Sequence, residues 1–513
     1  MTAPATNSSA PVHRSPHVVV VGGGITGLSA AFYLQQAARR AGLALHTTLI
    51  ERDARFGGKI RTETIPQPAE VAGAGFVIEA GPDSFLTQKP WGVELARELG
   101  LGDQLMGTNA AHNKVYVLVG GKPRPLPEGM QLVVPTRLMP FVRSPVLSPW
   151  GKLRMALDLF IPPRRDDADE TLADCIRRRL GVEALDRIAE PLMAGIHNAE
   201  PERQSLLATF PYFRALEQGY GSLIRGMRAQ RRTRNHEPRT AEPTAGSRSP
   251  VPGSSTFVTL RGGVGTFVDA LVVALGEQAI SGRGVAAINY VPALPQPYRV
   301  HLDDGATLAA DVVILTTPAF VTARLVAPFQ PALAAGLHQI RYVTTGTVAL
   351  AYRRAAIGDP LDGFGLVIPR SEGRRINACT MSSLKFEHRA PAGYMLLRVF
   401  VGGSRNPDVV ELDDAALLAV VRSELRTILG IEAAPLFTRI YRWPHANPQY
   451  DLGHLERVAA LEALCPPGLY LAGSAYRGVG IPDCVRQGKE AAAHALAYLQ
   501  QHVPEGALVA RGA

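Results

Sequence analysis

Three groups of residues have the types and spacing to hold a large phosphorylated ligand. The first is Gly22-x-Gly24-x-x-Gly27, inside VVVVGGGITGLSAAFYLQQ. Glycines at this spacing allow a tight turn, let a pyrophosphate approach bare backbone, and let the next helix pack closely on the preceding strand. Ile25 and Thr26 lie where a helix start offers free N–H groups to phosphates. The second is Arg55-x-Gly57-Gly58-Lys59, whose glycine pair lets backbone pass close to a further part of the same long ligand. The third is GSAYRGVGIPDC, with Gly473, Gly478, Val479, Gly480 and Ile481 at the head of a helical pattern. Pro482 suits a first helical turn, where its missing N–H costs nothing. Glu51 ends the apolar run LHTTLIE, with Arg52 beside it, and a carboxylate there accepts hydrogen bonds from ribose hydroxyls.

Regular elements must position these groups. HVVVV is apolar throughout and reads as a fully buried strand. ITGLSAAFYLQQAARRAG reads as the helix after it, with Gly42 as its stop. TLRGGVGTFVDALVVALG reads as a turn and helix, GRGVAAINY and ADVVILTTPAF as strands, and GLYLAGSAYRGVGIPDCVRQGKEAAAHALAYLQ as strand, turn and helix. The fold class is α/β, with a Rossmann-like dinucleotide domain assembled from separated pieces of chain. The second glycine pair favours a flavin dinucleotide over a nicotinamide one. The helix starting at Ile481 can aim its dipole at the pyrimidine edge of a flavin and stabilise negative charge there.

A chain of 513 residues exceeds one ordinary core and implies two or three subdomains. Hydrophobic residues at 46 % and charged residues at 19 % describe a globular protein. No apolar run approaches the roughly 18 to 20 residues of a membrane helix. Residues 1–15 lack the apolar core of a secretion signal and read as a disordered leader. Cys175, Cys379, Cys465 and Cys484 lie far apart without metal or redox spacing, which suits buried free thiols in a reducing cytoplasm. Of the net charge of +9, much sits between Arg225 and Arg248, where seven Arg face two Glu. That Pro-, Ser- and Thr-containing segment, 225–253, reads as a disordered basic loop rather than a nucleic-acid site. The stretch MQLVVPTRLMPFVRSPVLSPWGKLRMALDLF reads as helical, mixing Arg with apolar residues that suit a membrane face, a partner or subdomain packing. There is no nucleophile–base set and no metal-type cluster, so a bound cofactor would carry the chemistry.

Further stretches narrow the class. IEAGPDSFLTQKP, LMAGIHNAEPERQSLLATFP, DGFGLVIPR, TMSSLKFEHRAPAGYMLLRVFVGGSRNP and GVGIPDCVRQGKEA resemble the HemY-type protoporphyrinogen and coproporphyrinogen III oxidases of the flavin amine oxidase superfamily. The resemblance runs from His17 to about Gln500 and fades in the basic segment. It implies non-covalent FAD, bound by the three groups above together with Gly81 and Val285, the latter at the adenine end. It implies a discontinuous FAD domain (16–95, 255–335, 440–505), a helical substrate or membrane-facing subdomain (96–215) and a substrate-binding domain (336–439). The implied reaction removes six electrons from a porphyrinogen in three hydride transfers to flavin N5, with oxygen as acceptor and hydrogen peroxide formed. Phe386 would pack on the macrocycle, Leu366 would form an aliphatic wall, and Lys89 would lie near the propionates, which leans the reading toward coproporphyrinogen III without excluding protoporphyrinogen IX. A peripheral position on the inner face of the cell membrane, or contact with a downstream chelatase, belongs to the same resemblance. The rival readings are a flavin amine oxidase or a carotenoid-type desaturase, and a flavin-binding module without activity. RYVTTGTVALAYRR lacks the lysine that amine oxidases of this superfamily place beside the flavin, and Tyr476 has no clear partner for an aromatic cage.

Overall fold

The computed structural model describes residues 15–66, 75–131, 133–236 and 255–503. Its nucleus is a parallel five-stranded sheet in the order Ala279–Ser281, His46–Glu51, His17–Val21, Val312–Leu315, Leu469–Leu471. The two central strands are buried along their whole length, as their unbroken apolar sequence requires. They pair in register from Val18 with Val312 to Val21 with Leu315. Helices Ile25–Arg40, Gly265–Leu275 and Ile481–His502 share one apolar core with this sheet. At Gly488 a side-chain carbon would stand 2.5 Å from the Thr26 carbonyl and 3.0 Å from the Ala30 nitrogen. The missing side chain lets the closing helix touch the backbone of the glycine-loop helix.

The expected strands HVVVV, LHTTLIE, ADVVILTTPAF and GLYLAG all join this sheet. GRGVAAINY does not. Its strand Val285–Tyr290 belongs to a separate antiparallel sheet with Tyr298–Leu302 and Thr307–Ala310.

A seven-stranded sheet forms the second layer, with Phe437–Pro448, Tyr342–Arg353, Tyr394–Gly402, Ala378–Met381, Gly365–Val367, Val115–Val119 and Lys122–Pro125 in that order. This departs from the domain boundaries read from the sequence. Val115–Val119 and Lys122–Pro125 leave the helical subdomain for the sheet, and Phe437–Pro448 crosses the boundary at 440. Helices between Leu138 and His236 pack around their own core of Phe141, Leu172, Ile176, Ile188, Phe213 and Leu223. The stretch expected to be helical from Met130 to Phe160 is broken into two short strands and helices Leu138–Arg143 and Pro149–Ala156. Pro135, Pro145 and Pro149 stand at the breaks, because proline lacks the N–H that a continuous helix needs. The basic segment is also corrected in part, since Leu223–His236 is helix. The rest of that segment, like most of the leader, lies outside the described residues.

The helical subdomain is pinned by a buried ion pair. Arg179 and Asp158 are both fully buried, with Nε donating to Oδ1 at 2.6 Å. The guanidinium also donates to the carbonyls of Ile161 and Gly221, while Asp158 accepts from the Ser222 hydroxyl and the Ile224 amide. A buried pair stabilises little against an apolar replacement of both partners, but removing one partner strands a charge. Arg179→Met is therefore expected to destabilise the subdomain by about 3–5 kcal/mol. Urea unfolding followed by circular dichroism checks this, and an unchanged midpoint contradicts it.

Candidate functional site

The two glycine groups of the N-terminal segment meet. Gly24 and Gly57 form an isolated parallel bridge, and the Gly57 amide donates to the Gly23 carbonyl at 2.8 Å. Gly22 sits at φ +107°, which a side chain would resist. At Gly27 a side-chain carbon would stand 1.9 Å from the Gly22 carbonyl, so this glycine is required by close packing. Gly24 differs, because a side chain there would meet nothing within 4 Å. The bare backbone of Gly24 thus faces open space at the head of Ile25–Arg40, a helix start that carries no side-chain cap. That is the cradle a pyrophosphate needs, with the N–H groups of Ile25, Thr26 and Gly27 at the positive end of the helix.

Around this cradle the other expected residues fall into two groups. Glu51 ends its strand beside the glycine loop. Its carboxylate accepts from the Gly23 amide at 2.7 Å and the Asp53 amide at 2.9 Å. Arg52 is exposed next to it. Val285 is brought near by its neighbours, since the Arg283 amide donates to the Glu51 carbonyl and Gly284 abuts the Arg52 stem. Arg55 folds over the second glycine turn, donating to the carbonyls of Phe56, Gly58 and Ile60. Gly58 lies against Gly24, and Gly81 against the Lys59 carbonyl.

Lys59 reaches toward the C-terminal turn. Its ammonium donates to the Ala446 carbonyl and the Ser474 hydroxyl, both at 2.8 Å. Burial lowers its pKa, and its hydrogen-bond partners here are neutral oxygens. The turn from Gly473 leads into the helix Ile481–His502, which has Gly480 as its N-cap, no side-chain cap, and Pro482 in its first turn. Lys59, Gly473, Val479, Gly480 and Ile481 are therefore gathered at one edge of the cradle, with a second uncapped helix start.

The three residues expected at the substrate fare differently. Leu366 and Phe386 are each 1 % exposed, so neither presents a face to open space. Leu366 packs inside the core of the seven-stranded sheet. Phe386 is held between cations, with the Lys385 ammonium 5.1 Å and the Arg389 guanidinium carbon 5.7 Å from its ring centroid. Both stand at core positions in this structure, Leu366 on the strand Gly365–Val367 and Phe386 just after the short helix Ser382–Lys385. Lys89 is 42 % exposed, and its ammonium is bound to both oxygens of Asp483 at 2.8 and 2.6 Å. It is tied to the first turn of the closing helix.

Several site residues were not read from the sequence. Gly23 is one, since a side-chain carbon there would lie 2.6 Å from the Phe56 ring and 2.7 Å from the Glu51 stem. Glu79, Ala80 and Asp83, on either side of the expected Gly81, are others, and donors from three strands of the second sheet converge on this segment. Thr347 and Trp443 donate to the Ala80 carbonyl at 3.0 and 2.9 Å, and Arg398 to the Gly81 carbonyl. Lys385 pairs with Asp83 at 2.9 Å, and the Coulomb attraction of Lys385 and Arg398 outweighs burial and holds that carboxyl below its usual range. Glu79 accepts from the Val264 amide and the Thr62 hydroxyl, while burial pushes its pKa up to about 7. GPDSF carried this signal only as a family pattern.

Comparison with known proteins gives the site its class. The family model described as flavin containing amine oxidoreductase matches residues 25–496. The chain is 38 % identical over 512 residues to a coproporphyrinogen III oxidase of Propionibacterium freudenreichii subsp. freudenreichii, covering 96 % of this chain and 93 % of that one. It is 32 % identical to a chloroplastic protoporphyrinogen oxidase of Oryza sativa subsp. japonica, covering 95 % and 89 %. A solved structure described as a candidate protoporphyrinogen oxidase from Exiguobacterium sp. 255-15 superimposes with a TM-score of 0.78 at 31 % identity, covering 95 % and 99 %.

Gly24→Val is expected to abolish flavin binding without unfolding the chain, because the new side chain enters empty space rather than packed backbone. The check is visible absorbance of the purified variant beside its circular dichroism. Full flavin content would move the cofactor elsewhere. With the match running from Ile25 at the head of the first helix through the second sheet and into the closing helix, the chain belongs to the flavin containing amine oxidoreductase family and is an oxidoreductase with a flavin cofactor.

Proposed function

We propose that the flavin is non-covalent FAD and that the enzyme oxidises a porphyrinogen to a porphyrin, with coproporphyrinogen III as the preferred substrate. The observation that carries the cofactor is the pairing of Gly24 with Gly57 beside two uncapped helix starts, each of which offers N–H groups to an anionic ligand. The substrate reading is supported by nearly full-length similarity to proteins named for these two porphyrinogens. Bound flavin supplies a two-electron acceptor, and molecular oxygen serves as the terminal oxidant. Six electrons and six protons leave the macrocycle in three steps, which consume three O2 and release three H2O2. The chain's own part is binding and orientation. The helix start at Gly480 sets N–H groups at the cofactor edge, and Lys59 donates to the Ser474 hydroxyl of the C-terminal turn.

Carboxylate count separates the substrates, four in coproporphyrinogen III and two in protoporphyrinogen IX. Lys89 is a cation available to a propionate, in competition with Asp483. Since it is partly exposed and already paired, its discrimination is small, about 0.5–1 kcal/mol. The test is kcat/KM for both porphyrinogens. Wild type is expected to favour coproporphyrinogen III, and Lys89→Ala to lower the ratio of the two values about threefold. A wild type that strongly prefers protoporphyrinogen IX overturns the substrate assignment, and an unchanged ratio removes Lys89 from it.

A membrane surface is the second partner we propose, on the cytoplasmic side. Leu138, Met139, Val142, Leu153 and Leu157 are exposed, with Trp150 at 80 % and Phe160 at 79 %. Arg137, Arg143, Arg225 and Arg228 are exposed on the same segment or on the neighbouring helix, which Arg225 joins to Leu159 and Arg231 to Thr136. Large apolar side chains bordered by cations suit an anionic lipid surface. Trp150→Glu with Phe160→Glu is expected to reduce partition onto phosphatidylglycerol vesicles roughly tenfold or more. Turnover of dissolved substrate should stay unchanged. Equal co-sedimentation of variant and wild type contradicts the assignment.

A further inference from the structure

The turn from Gly473 to Gly480 is held by side chains that lie outside it. Tyr450 is buried, and its phenol oxygen donates to the Ser474 carbonyl and accepts from the Gly478 amide, both at 2.8 Å. Two backbone groups on opposite sides of the turn thus share one atom. Burial raises the phenol's pKa well above its ordinary value, so it keeps its proton as a donor. The ring lies flat on the His454 imidazole, with centroids 4.0 Å apart and planes 13° apart. His454 Nε2 in turn meets the Tyr476 carbonyl at 2.8 Å, and burial pushes this histidine down to about 4, leaving it neutral near pH 7. Gln487 takes the amides of Gly473 and Arg477 at 3.3 Å, and Lys59 takes the Ser474 hydroxyl.

The turn needs such restraint. Gly473 and Gly478 stand at φ +126° and +119°, and glycine in these regions has little intrinsic preference for one conformation. Apolar packing is non-directional and cannot set the angle of individual N–H groups. Hydrogen bonds through a rigid phenol can, because the ring is itself fixed by its stack on His454.

We propose that Tyr450 is a positioning residue for the flavin: its phenol fixes the width of the Ser474–Gly478 turn and so the direction in which the helix start at Gly480 faces the cofactor. The proposal rests on the placement of flavin against that helix start. Both bonds of the phenol go to backbone groups, so Tyr450 acts through the turn rather than on the reacting atoms.

Tyr450→Phe keeps the ring and removes one oxygen, leaving a half-buried carbonyl and a half-buried amide without this partner. About tenfold weaker FAD affinity is expected, with a shifted visible absorption band of the bound flavin. With a porphyrinogen, kcat should fall while KM stays within about twofold. Tyr298→Phe is the control, since it loses an equally buried phenol–carbonyl bond, to Pro467 at 2.6 Å, away from the turn. It should keep wild-type affinity, absorption band and kcat. If Tyr450→Phe behaves like Tyr298→Phe, the proposal falls. The flavin-free wild type gives a reading that needs no variant. Held by the phenol, its Gly478 amide should exchange on the order of 100-fold more slowly than a solvated amide, and solvated exchange overturns the clamp. A wild type that binds flavin but oxidises no porphyrinogen overturns the substrate reading alone, because affinity, absorption band and exchange do not use substrate.

Discussion

Backbone contact between two helices sets the dimensions of the whole cofactor site. The glycine-loop helix and the closing helix touch where Gly488 meets Thr26 and Ala30, and this contact brings two helix starts to the same edge of the parallel sheet. Each start is uncapped by side chains and carries partial positive charge. Both can then serve one elongated anionic ligand. A side chain at Gly488 would push the helices apart by about the width of a methyl group and misalign every group that lines the cradle.

The second sheet is fastened to that cradle by directed polar bonds added to the apolar cluster of Phe76, Ile78 and Ala80 with Ala349, Leu396 and Tyr441. Ala80 and Gly81 receive donors from Thr347, Trp443 and Arg398, and Asp83 receives Lys385. Directed bonds of this kind specify relative orientation in a way that apolar burial does not. The same economy recurs at the other side of the site, where Lys59 joins the Ala446 carbonyl to Ser474.

Much of the cofactor domain was legible because its signals are local. A run of four valines, three glycines and a helical pattern need only neighbouring residues to be read, and Gly22, Gly24 and Gly27 stand where their spacing placed them. What failed was nonlocal. Nothing near Val115 says that its strand pairs with Gly365 in a sheet otherwise built from later residues. The burial of Leu366 is likewise set by the register of its strand with Ala378–Met381, which residue type alone does not give. Gly23, Tyr450 and Gln487 were missed because their partners in the fold decide their roles. The proline-broken stretch after Met130 was legible in principle, and there the apolar pattern was given more weight than the punctuation.

The order of strands in the parallel sheet has a consequence for the life of the chain before it is an enzyme. Val18 pairs with Thr47 soon after it is made but with Val312 only much later, and Ile314 with Tyr470 later still, so the sheet waits for most of the polypeptide before all its strands exist. During synthesis the glycine loop emerges early, yet the helix that completes its cradle, Ile481–His502, is translated last. At about 5–20 residues per second, that interval is tens of seconds. For the earlier part of it the apolar strand His17–Val21 is paired with His46–Glu51 on one side and lacks Val312–Leu315 on the other. Cofactor capture is therefore a late event coupled to closure of the sheet, and a cell short of the cofactor would accumulate full-length chains rather than stalled early ones.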